Sequence, residues 1–150
     1  MARIDETDRR IIGELVRDGR VSFAELGRRV NLSPPSVAER VQRLERDGVI
    51  TGYRAELDPS ALGFPLIAIV RVKPAPGQLK RIPELAAEIP EVGECHRITG
   101  EDCFFLKLHL RSIDELGDVL DRFLAYGETT TSLINASPIP RRDPPLPQTS

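Results

Sequence analysis

The chain has 150 residues, enough for one domain or two small ones, with an ordinary balance of apolar and charged residues and a net charge of −2. No apolar run approaches the roughly 20 residues that a bilayer span needs, and the charged start Met-Ala-Arg-Ile-Asp-Glu lacks the apolar centre of a signal peptide, so a cytoplasmic protein with no membrane partner is expected. The net charge argues against a strongly basic nucleic-acid binder, yet residues 1–65 carry eleven Arg and no Lys against eleven Asp and Glu. Arginine forks suit phosphate and guanine, while a neutral domain binds DNA weakly as one copy, which points to binding as an oligomer.

The first predicted helix runs from Glu6 to about Arg17. Asp5 is its N-cap with Asp8 three residues on, Gly19 stops it, and Ile4, Ile11, Ile12, Leu15 and Val16 form an apolar stripe. Ser22 with Glu25 reads as a capping box, and Val21 with Leu26 as a hydrophobic staple, for a helix Phe23–Val30 that turns Phe23, Leu26 and Val30 to the core. Asn31 suits the left-handed stop of that helix; Ser33 then caps a longer one from Pro34 to about Asp47, with proline where a missing N–H costs nothing. A short helix, a tight turn and a longer helix make a helix-turn-helix. In the longer helix Val37, Val41 and Leu44 face the core. Ser36, Glu39, Gln42, Arg43 and Arg46 lie opposite, with Arg40 on the flank. With Ser33, Pro34 and Pro35 at the helix start, these are the candidate DNA contacts: Arg, Gln, Glu and Ser are the side chains that reach base edges and phosphates. The plainer reading of the same face is a solvated one, laced by pairs such as Glu39 with Arg43.

Gly48 ends that helix, and Val49–Leu57 reads as a strand without a hairpin partner. Unpaired edges are a liability, so this strand is expected to pair with its copy in a second subunit and to serve as linker. Phe64–Lys73 reads as a strand buried on both faces. A helical stripe follows at Leu79, Ile82, Leu85, Ala86 and Ile89, in which Pro83 imposes a kink or a restart. Glu91–Thr99 and Cys103–Leu110 are the arms of a hairpin, Ser112 and Glu115 open another helix carrying Leu116, Leu120, Phe123 and Leu124, and Thr129–Ser137 is the last strand. The tail from Pro138, with Arg141 and Arg142, is Pro-rich and reads as extended or disordered. The fold class expected is α+β: an N-terminal winged helix-turn-helix domain joined by a strand linker to a ferredoxin-like βαββαβ domain. The boundaries are 1–57, 58–138 and a tail at 139–150.

Layout and strings together resemble the Lrp/AsnC, or feast/famine, family of transcriptional regulators. The carrying residues are Ile4–Ile12, Asp18-Gly19-Arg20, Leu32-Ser33-Pro34 through Glu39–Glu45, Gly48–Tyr53 and Glu94–Asp102. The resemblance implies an N-terminal domain that binds double-stranded DNA and a C-terminal domain that dimerises through its sheet. It also implies dimers that assemble further, commonly into octamers, and a small effector, most often an amino acid, bound near Thr99–Asp102. Candidate effector residues are Thr99, Gly100, Glu101, Asp102 and Cys103, where Glu101 or Asp102 accepts from the ammonium and backbone N–H groups around Gly100, with Thr99, serve the carboxylate. One departure stands out: family members often carry an acid at the position of Cys103.

No enzyme reading survives the spacing. Cys95, His96, Cys103 and His109 are spread along two strands, with neighbours on opposite faces, whereas zinc wants ligands within about 2.3 Å of one point; no metal and no cofactor is expected. A Cys95–Cys103 disulfide is rejected because the residue opposite Cys95 lies near 106, an offset of about 10 Å against the roughly 7 Å that a disulfide tolerates. The remaining alternative is an amino-acid-sensing assembly module whose DNA binding has degenerated.

Overall fold

The computed structural model describes residues 4–146, which form two compact units, one being Leu57–Pro140 and the other the residues before it together with the segment from Arg141. In the N-terminal unit, three helices, α1 (Glu6–Arg17), α2 (Phe23–Val30) and α3 (Pro34–Arg46), enclose a core of Ile11, Ile12, Leu26, Val30, Val37, Val41 and Leu44. Each start is fixed locally. Asp5 accepts from the Asp8 backbone N–H at 2.8 Å and Asp8 accepts from that of Asp5 at 3.0 Å, a reciprocal capping box. Ser22 accepts from Glu25 N–H at 3.1 Å, but the Glu25 carboxylate turns to Arg28 and Arg29 instead of returning, so this cap is one-sided. Val16 and Phe23, expected in the core, are exposed: Val16 lies to one side of the α1 face that packs, and Phe23 is the first residue of α2, at the end of its apolar stripe.

The turn between α2 and α3 is made by two residues. Asn31 adopts φ 59° and ψ 47°, the left-handed conformation in which asparagine is among the least strained side chains. Gly27 allows the chain to fold back: Leu32 N–H donates to its carbonyl at 2.9 Å, and a Cβ on Gly27 would lie 2.5 Å from the Leu32 oxygen. After α3, Gly48 at φ +69° lets its own N–H donate to Glu45 and that of Val49 donate to Leu44, a Schellman stop. The strand expected at Val49–Leu57 is absent from this chain, and so is a wing: residues 51–58 have no regular structure. A strand exists only beside a partner, and no neighbouring backbone is paired with this segment among the described residues.

The second unit has β1 (Leu66–Pro74), α4 (Arg81–Ala87), β2 (Val92–Arg97), β3 (Phe104–Leu110), α5 (Ile113–Leu124) and β4 (Gly127–Leu133), in antiparallel order β2-β3-β1-β4. This is the ferredoxin-like arrangement. Pro83 falls in the first turn of α4, where no N–H is required, so it begins the helix rather than kinking it. In α5 the inward residues are Leu116, Val119 and Phe123, while Leu124 is exposed. Cys95 pairs with Leu106, and both thiols are free.

β1 is not buried on both faces. Ala68, Val70 and Val72 pack against the helices, with Leu106, Leu108 and Phe123 in the same core. The alternate residues Ile67, Ile69, Arg71 and Lys73 share the other face with Phe105, Lys107 and His109 of β3, opposite the face on which α4 and α5 pack. Gly93 sits in a register shift of β2, where a Cβ would lie 2.9 Å from the His109 ring. No helix of the described residues is long and apolar enough to cross a membrane.

Two outcomes are expected. Gly27→Ala should lower stability by about 2 kcal/mol, since the obstructing atom is backbone and cannot yield. Gly13→Ala, whose Cβ meets nothing within 4 Å, should raise it by about 0.5–1 kcal/mol; denaturant midpoints of the two variants should move in opposite directions. The second outcome concerns acid. The Arg40 guanidinium, followed by the Asp8 backbone N–H, holds the Asp5 carboxyl below its ordinary value. A depressed folded value means that stabilisation is complete above the unfolded value and is lost as pH falls through the folded one. The stability gap between the parent and Asp5→Asn should thus be constant from about pH 8 to 5 and close below about pH 4; a gap unchanged near pH 3 would contradict the assignment.

Candidate DNA interface and effector loop

The outer face of α3 exists because its inner face is committed: Val37, Val41 and Leu44 are at most 1% exposed. Glu39, Gln42 and Arg46 stand exposed on the opposite side, with Ser36 half-buried near the helix start. Ser33 caps α3 through Ser36 N–H at 3.4 Å, and the two hydroxyls lie 2.8 Å apart. Pro34 and Pro35 occupy the first two positions and are exposed. Two consecutive prolines remove two of the N–H groups that a helix start offers to an anion, and Ser33 takes the third. Any phosphate here meets hydroxyls rather than backbone donors.

Arg40 and Arg43 are held differently from the rest of the face. Asp8 in α1 has no exposed surface, and its carboxylate accepts four hydrogen bonds from three groups: Asp5 N–H at 3.0 Å, Arg40 Nη1 at 2.8 Å, and Arg43 Nη2 at 2.7 and 2.6 Å to its two oxygens. Arg40 Nη1 also reaches Asp5 at 2.7 Å. The Glu39–Arg43 pair of a plain solvated face does not form, because Arg43 turns to Asp8. Tyr53 donates to Glu45 at 2.9 Å, and burial, with that carboxylate beside it, pushes its hydroxyl up to about 12. The segment after α3 is thereby tied back to the helix.

The loop Thr99–Cys103 closes the β2–β3 hairpin through Ile98 N–H donating to the Cys103 carbonyl at 2.8 Å. Gly100 takes φ +114°, a conformation that a side chain would strain. Thr99, Gly100 and Glu101 are exposed, Asp102 and Cys103 half-buried, and the Cys103 thiol points to the Glu101 carbonyl at 3.8 Å. Both acids face cations from β1: Arg71 lies 3.7 Å from Asp102, and Lys73 lies 3.9 Å from Glu101. These two cations were invisible in the sequence while β1 read as buried on both sides; the alternation Ile67, Ile69, Arg71, Lys73 was the available signal. Nearby, Glu94 pairs with His96 at 3.2 Å and Lys107 at 3.3 Å. Among the described residues no group of three or more His, Cys, Asp or Glu is placed to hold a metal.

Known proteins match the chain along nearly its whole length. Residues 4–45 match the AsnC-type helix-turn-helix domain and residues 67–144 the Lrp/AsnC ligand binding domain. The HTH-type transcriptional regulator LrpC of Bacillus subtilis is 37% identical over 132 residues, covering 88% of this chain and 92% of that protein. Its solved structure aligns with a TM-score of 0.85 over 90% of this chain and 96% of that one. The leucine-responsive regulatory protein of Escherichia coli K12 is 36% identical, over 87% of this chain and 84% of that protein. A feast or famine regulatory protein from Mycobacterium tuberculosis, solved in complex with L-methionine, is 34% identical with a TM-score of 0.85, covering 94% of this chain and 98% of that one. With a helix-turn-helix whose α3 shows an exposed polar face, a ferredoxin-like unit after it in the chain, and both halves matched by the corresponding family models, the chain belongs to the Lrp/AsnC family of helix-turn-helix, DNA-binding transcriptional regulators.

Proposed function

We propose that the protein acts as a dimer that lays two α3 helices in successive major grooves of double-stranded DNA, about one helical turn apart, and that an amino acid bound at the Thr99–Cys103 loop controls its assembly. The observation that carries the DNA half is the row of exposed Glu39, Gln42 and Arg46, with half-buried Ser36 at its start, on a helix whose inner face is fully buried. Ser33, Pro34 and Pro35 approach the phosphates beside it, and Arg40 and Arg43 flank it. A neutral domain gains enough affinity only when a second copy is tethered at fixed spacing.

The uncovered sheet face supports the pairing. Ile67, Ile69 and Phe105 are half-buried, ringed by Arg71, Lys107 and His109, and two copies of one face meeting about a twofold axis make a self-complementary contact. The segment 49–57 then finds its strand partner in the other copy. Dimers associate further, to an octamer, and the effector acts by favouring one association over another. At the loop, Asp102 and Glu101 suit an ammonium, while Arg71 and Lys73 suit a carboxylate, so the site offers both charges of a free amino acid. The solved relative with L-methionine favours that chemical class.

Ile69→Asp should leave the unit folded, shift sedimentation to the monomer, and reduce affinity for a duplex selected by the parent protein by about a hundredfold or more. Unchanged self-association would sink the dimer face. For the effector, a thermal-shift screen of the twenty amino acids should find one that raises the Tm by about 5–10 °C at a hundredfold excess over its Kd. Arg71→Ala and Asp102→Asn should each abolish that shift; a screen without any shift, or a shift that survives both substitutions, rejects the loop as the site.

A further inference from the structure

We infer that Asp8 is a positioning residue for DNA recognition: its buried carboxylate clamps Arg40 and Arg43 so that α3 is fixed on α1, and this takes both arginines out of base reading. Specificity is thereby left to Ser36, Glu39, Gln42 and Arg46. The inference rests on the DNA-reading proposal above and goes beyond it, because charge alone makes Arg43 and Arg40 the natural base contacts.

The geometry argues as follows. A carboxylate with 0% exposure is stable only when its lone pairs are occupied, and Asp8 accepts from one backbone N–H and two guanidinium groups. Arg43 spans both carboxylate oxygens through one nitrogen, at 2.7 and 2.6 Å. Swinging Arg43 out to a guanine would strand a buried charge with Arg40 as its single remaining cation, and Arg40 is itself shared with Asp5. Breaking a buried pair costs more than one base contact returns. The alternative cation on the face, Arg46, is exposed and carries no ion pair among the described residues. Position also matters: Arg40 and Arg43 are three residues apart on α3, so one carboxylate gripping both sets the roll of that helix about its own axis. A helix free to roll by one residue, about 100°, would present a different set of side chains to the groove.

The test uses the full chain and a duplex carrying the tightest site that the parent protein selects from a random-sequence pool. The key variant is the double substitution Asp8→Asn with Arg43→Gln, which preserves net charge and approximate size; the single Arg43→Gln, still holding Asp8 through Arg40, is the fallback should the double variant unfold. If Asp8 positions α3, the folded variant loses about tenfold or more in affinity for the selected duplex while affinity for random duplex is unchanged. Its ranking of single base-pair substitutions, and the slope of log affinity against log salt, stay those of the parent. By contrast Arg46→Gln should flatten preference at one base pair or reduce the salt slope by about one. Two outcomes overturn the inference: a variant lacking Arg43 that loses preference at one base pair or about one unit of salt slope, which makes Arg43 a contact, or one with unchanged affinity for the selected duplex, which makes the clamp merely structural. A parent protein that selects no site at all defeats the DNA-reading proposal itself, a result distinct from both.

Discussion

A carboxylate sealed from water is among the most demanding groups a fold can contain, and in the N-terminal unit Asp8 is that group. It joins the first turn of α1 to the middle of α3 through two arginines, and to its own helix start through Asp5. The three-helix core is small, seven buried apolar side chains, and apolar contact alone is non-directional. Hydrogen bonds of fixed length and direction supply what such a core lacks, a defined roll and register for α3, the helix proposed to meet DNA. The tight turn does the same from the other end, where Gly27 admits the Leu32 carbonyl and Asn31 takes the left-handed conformation. Between these two anchors, α3 has little freedom about its own axis.

The second unit obeys a different logic. One sheet face is covered by α4 and α5, and the other shows Ile67, Ile69 and Phe105 among charges. A sheet with apolar residues on both faces but helices on one suits the dimer face proposed above. The irregular course of residues 51–58 makes the same point, since a segment with strand-like composition stays unpaired until a neighbouring backbone is presented to it. Both features are consistent with a chain whose working form is a pair.

Local signals in the sequence were legible. Asp5, Ser22, Ser33 and Ser112 each act on a backbone N–H three residues away, so their caps could be read from adjacent residues, and the hairpin register opposite Cys95 followed from loop length. Non-local contacts were not legible. Asp8 looked like a capping residue, which it is, while its arginine partners lie 32 and 35 residues along the chain, beyond any periodicity. The apolar stripe of α2 does not mark Gly27, although a glycine inside an eight-residue amphipathic helix costs about 1 kcal/mol and so signals a close approach. The strand Phe64–Lys73 reads as buried on both faces because Ile67 and Ile69 are as apolar as Val70 and Val72; only Arg71 and Lys73 distinguish the open face.

If DNA is read by a pair of clamped α3 helices rather than by one helix, as proposed above, protection of the duplex must follow dimer formation. Hydroxyl-radical footprinting of the selected duplex, at protein concentrations spanning the monomer–dimer transition measured by sedimentation, tests it most directly. Protection should appear only as the dimer does, in two patches about 10 base pairs apart that rise together. A single patch protected at concentrations where the protein is monomeric would contradict it.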